Sequence, residues 1–248
     1  MNPNWKIETK TIQAGYEPGN GEPRVAPIVQ STTYKYNTAA EVAHLFDYPE
    51  KGHIYSRISN PTVDAFQKKI AVLEGGVAAV ATSSGHAAVT LAILNLCECG
   101  DHVIASSSLY GGTFNLFNYT LKKMGIEVTL VNQQAPMAEL EKAFRPNTKV
   151  LFGESISNPG MEVLDFEKFA ALAKKMQVPF MVDNTFPTPF LCQPFRLGAN
   201  IIVHSTTKYI DGHATSVGGA IVDGGNFNWA NGKFPAFTNP DPSYHGVK

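Results

Sequence analysis

The 248-residue chain carries almost no net charge: 20 Lys and Arg against 21 Asp and Glu leave −1 with histidine neutral. No run of Lys or Arg forms the patch that a nucleic acid or a membrane surface needs, so neither is expected as a partner. Cysteine is scarce. Cys97 and Cys99 form a C-x-C pair with no second pair after it, and Cys192 stands alone. That spacing is wrong for a zinc knuckle, so no metal is expected, and the thiols read as buried or half-buried. No apolar run reaches the ~18 residues of a membrane span. The polar stretch 1–10 lacks the apolar centre of a signal peptide. With an odd cysteine count, this makes a reducing cytoplasm the expected location. No Walker or G-x-G-x-x-G pattern follows an apolar run, which disfavours a nucleotide-binding protein. Internal repeats and low-complexity tracts are also missing.

What the chain does have is 44% hydrophobic residues, enough for one large domain or a domain plus an arm. Residues 1–60 read as an extended arm, rich in Gly, Thr and Asn and holding Pro3, Pro18, Pro23, Pro27 and Pro49. One short helix is expected there at 38–48, with Thr38 as N-cap and Glu41 completing a capping box. An arm with exposed Tyr and Arg has to pack on something, and a neighbouring subunit is the expected partner. From Asn60 the pattern changes to short apolar runs alternating with helical stretches. Strands are expected at 77–81, 102–106, 127–131, 149–154, 179–183, 201–205 and, on the way back, 217–222. Helices are expected at 61–74, 86–96, 113–124, 138–144 and 165–176. This is the signature of an α/β protein with a mostly parallel, seven-stranded sheet and helices on both faces. In such sheets ligands bind beyond the carboxyl ends of the strands. The stretch 224–248 shows no clear element and stops abruptly, so a cut or incomplete chain is expected.

Five segments carry candidate chemistry, each with a plainer reading beside it. His204-Ser205-Thr206-Thr207-Lys208-Tyr209 follows an apolar run. Lys208 is either a surface lysine on a polar loop or an amine held in a pocket, with lowered pKa and hydroxyls nearby for a phosphate. Asp183 ends the run Phe180-Met181-Val182 and is followed by Asn184 and Thr185. It either caps a turn or sets a carboxylate against a protonated ring nitrogen, which lets the ring accept electrons from a carbanion. Thr82-Ser83-Ser84-Gly85-His86 is an ordinary turn or a helix start whose backbone N–H groups hold a phosphate, with glycine allowing close approach. Tyr110, before Gly111-Gly112, is a loop aromatic or a ring that stacks on a flat ligand. In Tyr55-Ser56-Arg57, Arg57 is either solvated or offers a planar fork to a phosphate, with the Tyr55 hydroxyl beside it.

In order, YSRISNPT (55–62), LEGG (73–76), SSGHAA (83–88), LYGGTF (109–114), ESISNP (154–159), VDNTFPTP (182–189) and HSTTKY (204–209) resemble the Cys/Met metabolism family of pyridoxal-5′-phosphate (PLP) enzymes. The resemblance is to its cystathionine γ-synthase type and covers most of the chain. It implies the type I PLP-dependent transferase fold and PLP as cofactor. Lys208 matches the family's Schiff-base lysine, which also moves protons. Asp183 matches the partner of the pyridine nitrogen, with Thr185 beside it, and Tyr110 the ring-stacking tyrosine, often given a part in substrate activation. Ser84, Gly85, His86, Ser205 and Thr207 match the phosphate cradle; His86 stands where many relatives carry Met. Asn158 matches a residue near the cofactor's phenolic oxygen. Tyr55 and Arg57 match residues that reach the phosphate of the neighbouring subunit, which implies a homotetramer built from dimers.

Within the family the chain is most similar to the O-acetylhomoserine sulfhydrylase branch. Gly112 stands where methionine γ-lyases carry Cys, and SVGGAIVDGGNFNW (216–229) and PDPSYHGV (240–247) also look sulfhydrylase-like. The implied reaction is γ-replacement on O-acetyl-L-homoserine. The amino acid displaces Lys208, protons leave Cα and Cβ, acetate leaves Cγ, and sulfide or a thiol adds to give homocysteine or methionine. A γ- or β-lyase, a cystathionine γ-synthase, and a non-catalytic fragment or subunit that kept the fold remain alternatives. The family continues into a C-terminal domain with an arginine for the substrate α-carboxylate. Arg24, Arg57, Arg145 and Arg196 do not stand at its position. The expected organisation is therefore an arm at 1–60 and a PLP-binding domain at 61–248, without that third part.

Overall fold

The computed structural model describes residues 4–48, 51–244 and 246, and the chain divides into two compact units, Met1–Leu73 and Glu74–Lys248. Pro3, Pro49, His245 and Val247 of the segments above lie outside the described residues.

The first unit holds α1 (Ile7–Gln13), α2 (Ala39–Asp47) and α3 (Pro61–Glu74), whose last residue counts with the second unit. The helix α1 was not expected from the arm's composition. α2 starts as expected: Thr38 Oγ1 accepts from the Glu41 N–H at 3.2 Å. The reciprocal bond of the box goes elsewhere, because the Glu41 carboxylate accepts from the Asn37 N–H at 3.1 Å. Asn60 gathers the arm's loops. Its amide donates to the Val29 carbonyl, the Tyr34 hydroxyl and Ser56 Oγ at 3.0–3.2 Å, while its oxygen caps the start of α3 through the Thr62 N–H. Gly15 packs so closely on α3, at φ +90°, that an added Cβ would lie 2.1 Å from the Ala65 carbonyl oxygen.

The second unit is built on one seven-stranded sheet: β1 (Ala78–Thr82), β2 (His102–Ser106), β3 (Glu127–Val131), β4 (Thr148–Glu154), β5 (Phe180–Asp183), β6 (Ile201–Ser205) and β7 (Gly219–Asp223), in the spatial order β1-β7-β6-β5-β4-β2-β3. The five strands from β6 to β3 run parallel, and β7 runs antiparallel to β1 and β6. Successive strand residues alternate between two cores, as the pleat dictates. Val103, Ala105, Val150, Phe152, Met181 and Val203 meet α4 (Gly85–Leu96) and the helical stretch that starts with α5 (Gly111–Asn115). That stretch passes through a π-turn at Leu116–Thr120 into α6 (Leu121–Lys123). On the other face Ile104, Leu151, Phe180 and Val182 meet Leu140 of α7 (Met137–Glu141) and Phe169, Leu172 and Ala173 of α8 (Phe166–Met176).

Several expectations need correcting. The first and last strands sit one or two residues later than the apolar runs suggest, and α7 is shorter than 138–144. Two short helices, α9 (Thr188–Leu191) and the 3-10 turn Pro194–Leu197, occupy a stretch with no helical periodicity. The segment after β7 is not ragged. Phe227, Trp229, Phe234 and Phe237 interlock with ring centroids 4.7–6.2 Å apart, and Phe234 is buried in the core. Of the thiols, Cys97 is buried and Cys192 half-buried, but Cys99 is exposed. Among the described residues no helix is long and apolar enough to cross a membrane, and no cluster of His, Cys, Asp and Glu suits a metal.

Candidate active site

A cavity of about 240 Å³ opens where β4, β5 and β6 end and α4 begins. Its walls belong to the second unit alone and include ten of the twelve residues singled out from the sequence. From the start of α4 come Ser84, Gly85 and His86; from the strand ends and the loops after them come Asn158, Asp183, Thr185 and Ser205; Tyr110, Thr207 and Lys208 complete the set. Tyr55 and Arg57 belong to the first unit, where the Arg57 guanidinium lies over the Tyr55 ring at 5.5 Å.

The start of α4 is shaped by two small residues. Ser84 is its N-cap, and its Oγ accepts from the Ala87 N–H at 3.0 Å, so this hydroxyl serves the helix. Gly85 is buried against β6: an added Cβ would lie 2.4 Å from Ser205 Cβ and 2.6 Å from Ser205 Cα. The first N–H groups of an α-helix have no acceptor within it. Those of Gly85 and His86 therefore offer unpaired donors, and with the dipole of this twelve-residue helix they suit an anion.

Asp183 takes two hydrogen bonds from Thr185 on one oxygen. The Thr185 N–H donates to its Oδ1 at 3.0 Å and the Thr185 hydroxyl to the same oxygen at 2.5 Å. The Ser205 N–H donates in turn to Thr185 Oγ1 at 2.8 Å. Thr185 thus couples the end of β6 to the carboxylate at the end of β5. Burial pushes the Asp183 carboxyl above its usual range, and the Thr185 donors and the His204 ring pull it back.

Glu154 also lines the cavity, and no reading of the sequence singled it out within ESISNP. It pairs in register with Asp183 on the neighbouring parallel strand, which puts both carboxyls on one face of the sheet. It is buried, with 4% of its surface exposed. Burial first, and the Asp183 charge second, push its pKa up to about 8, against the pull of two backbone N–H groups. Those donors are the Tyr110 N–H to Oε1 at 2.7 Å and the Asn158 N–H to Oε2 at 3.2 Å. A second buried cluster lies behind the site: Glu74 Oε1 meets His204 Nε2 at 2.6 Å and Asn184 Nδ2 at 2.9 Å. The sequence hinted at neither group, because a lone Glu at a strand or helix end looks like a solvated charge until its neighbours are known.

Lys208 lines the cavity on an exposed turn after β6. Its placement depends on Thr207, whose Oγ1 donates to the Gly218 carbonyl at 3.2 Å and accepts from the Gly218 N–H at 3.1 Å. Tyr110, 52% exposed, leans over Gly112, where an added Cβ would come within 2.6 Å of its ring. The cavity therefore brings together an amine, two adjacent carboxyls, an exposed aromatic ring and the free donors of a helix start.

A sequence model of the Cys/Met metabolism PLP-dependent enzymes matches residues 8–239. O-acetyl-L-homoserine sulfhydrylase of Leptospira meyeri is 48% identical over 246 residues, 99% of this chain and 55% of that protein. The homocysteine/cysteine synthase of Kluyveromyces lactis is 46% identical over 97% of this chain and 55% of its own length. Among solved structures, a putative O-acetylhomoserine (thiol)-lyase of Campylobacter jejuni superposes with a TM-score of 0.94 at 40% identity, over 99% of this chain and 61% of that one. It contains N′-pyridoxyl-lysine-5′-monophosphate. The chain thus spans little more than half the length of the curated relatives it matches.

Proposed function

The chain belongs to the Cys/Met metabolism family of PLP-dependent enzymes, and from that premise we propose that it supplies the cofactor site of an O-acetylhomoserine sulfhydrylase. The reaction is γ-replacement on O-acetyl-L-homoserine with sulfide or a thiol, giving homocysteine or methionine. The names of the similar proteins support the choice of substrate. The observation that carries the proposal is one cavity in which Lys208, Asp183 and the donor-rich start of α4 converge.

The cavity fits PLP. Gly85 keeps α4 pressed against β6, so that helix N–H groups and the Ser205 and Thr207 side chains face one space. The helix N–H groups and Ser205 would hold the phosphate, and Thr207 would join them by turning its hydroxyl from the Gly218 carbonyl. Asp183, oriented by Thr185, would face the ring nitrogen and keep it protonated. Tyr110 would stack on the ring, and Asn158 would stand near its phenolic oxygen. When bound, the cofactor supplies an electron sink that stabilises negative charge at the substrate's Cα. Lys208 would carry the cofactor at rest, then, once displaced by the substrate amine, take the Cα proton on its amine and move it onward. Tyr55 and Arg57 would reach the phosphate of a neighbouring copy, which makes the arm at 1–60 a contact between subunits of a homotetramer. The cytoplasm is the proposed location.

Absorbance before and after borohydride tests the reading. The protein with added PLP should show a visible band that borohydride removes, and Lys208→Ala should lack it. A band of equal strength in Lys208→Ala would take the cofactor away from this lysine. Product analysis with O-acetylhomoserine and sulfide then separates homocysteine from the α-keto acid and ammonia of a lyase.

A further inference from the structure

Among the described residues that line the cavity, Glu154 is the buried carboxyl without a part in the reaction proposed above, and its contacts are unusual for a spare group. Each of its oxygens accepts a different backbone N–H, Tyr110 at 2.7 Å and Asn158 at 3.2 Å. These donors lie 48 residues apart, on the loop that enters α5 and the loop that leaves β4. Both loops carry residues that line the same cavity. The bonds anchor main chain, so they fix where each loop's Cα stands and hence where the Tyr110 ring and the Asn158 amide sit.

The alternative, that Glu154 is only a buried strand residue, explains its burial but not its chemistry. A carboxyl at an enclosed strand end costs free energy that an apolar side chain would avoid. Placing it in register with Asp183 adds like-charge repulsion. An apolar residue could fill the space but could accept neither N–H group. We propose that Glu154 is a positioning residue of the cofactor site: a carboxyl clamp whose two oxygens hold the Tyr110 and Asn158 loops in register with each other. This rests on the proposed PLP site and assigns a residue to it that does not itself touch the reacting atoms.

Glutamine at 154 keeps one acceptor and turns an NH2 group towards the other N–H, so one arm of the clamp is lost and the other is strained. The experiment is a double-mutant cycle on PLP affinity, with visible circular dichroism of the bound cofactor as a second readout. Glu154→Gln should weaken PLP binding on the order of tenfold, the size of one lost hydrogen bond. It should also reduce the visible dichroism, because the ring is less fixed. The effect of Glu154→Gln should shrink when Tyr110 is already alanine and largely vanish when Asn158 is alanine as well, because both side chains that the clamp places are then gone. An undiminished loss in the Tyr110→Ala, Asn158→Ala background, or unchanged affinity and dichroism, overturns the clamp. Amide exchange in the unaltered chain gives an answer that does not depend on the variant folding. The Tyr110 and Asn158 N–H groups should be protected, and exchange at the rate of an open loop overturns the proposal. If the unaltered protein forms no borohydride-sensitive band, the cofactor reading fails instead, while protected amides would still leave the clamp standing as a hydrogen-bonded unit.

Discussion

Replacing Gly85 by alanine puts a methyl carbon 2.4 Å from Ser205 Cβ and 2.6 Å from Ser205 Cα. Carbon atoms in contact sit about 3.5–4.0 Å apart, so α4 or β6 has to retreat by roughly an ångström. One of these atoms is backbone and the other is bonded to it, so no side-chain rotation relieves the clash. Overpacking of this kind costs about 1–3 kcal/mol of stability. The larger consequence is for the proposed phosphate cradle, whose helix N–H groups must lie within about 2.7–3.2 Å of their acceptors. Moving α4 away from Ser205 by roughly an ångström forfeits about one bond to a charged ligand, worth about 1.5–3 kcal/mol. PLP should therefore bind roughly ten- to a hundredfold more weakly. Gly111→Ala is the control, since nothing lies within 4 Å of its added Cβ. The assay is PLP titration followed by the visible band, with urea unfolding of the same samples. Gly85→Ala with the affinity and urea midpoint of the unaltered chain would refute the close helix–strand contact as the basis of the cradle.

Gly112→Ala should turn the Tyr110 ring aside, because the added Cβ would lie 2.6 Å from it. The visible dichroism of bound PLP should fall with little change in the urea midpoint, and an unchanged spectrum contradicts the placement of that ring. His102 should make the fold acid-sensitive. Its ring is fully buried between Thr148 and Thr129 at 2.8 Å each, and burial, helped by Arg145, lowers its pKa from 6.5 to about 4. The unfolded chain then takes up the proton first. Stability from the neutral ring is complete above pH 6.5 and declines as pH falls towards 4, by at most about 3 kcal/mol. Urea midpoints at about pH 7.5 and about pH 5 measure it, and an equal decline in His102→Leu assigns the sensitivity elsewhere.

The sheet was legible because its strands are short apolar runs whose burial on both faces leaves little doubt about their state. Ile201-Ile202-Val203 and Phe180-Met181-Val182 are clear examples. That Asp183, Ser205 and Lys208 line one cavity was legible for the same reason, since they follow those runs and α/β sheets place ligands there. Gly85 starts α4 and lines the cavity, and its closest contact is not the one expected. The expected role was room for a phosphate, whereas the contact that excludes a side chain is with Ser205. Glu154 and the Glu74–His204–Asn184 cluster were invisible because their partners are 4 to 130 residues away along the chain. Hydrogen bonds of that reach leave no periodicity. Helix α1 was hidden by the neighbouring Gly- and Pro-rich segments, and the aromatic cluster after β7 by its lack of any regular spacing.

The charge pattern of the cavity narrows what can occupy it. Parallel register forces Glu154 and Asp183 side by side at the ends of β4 and β5, and among the described residues neither carboxyl has a salt-bridge partner. Neutral donors from Thr185, Tyr110 and Asn158 soften this pair, and the His204 ring acts on Asp183 as well. Burial holds both carboxyls above their usual range, and the Asp183 charge adds to the rise at Glu154, which a cation placed against them would relieve. At the start of α4 the polarity reverses, with free N–H groups and the positive end of a helix dipole. A ligand that meets both ends needs a protonated ring nitrogen for the carboxyls and an anionic group for the helix, joined by a flat body that Tyr110 can cover. A nucleotide phosphate would satisfy the helix and leave the carboxyls repelling each other. A simple amine would do the reverse. Pyridoxal phosphate carries both groups, and its aldehyde leaves Lys208 with a reaction to perform.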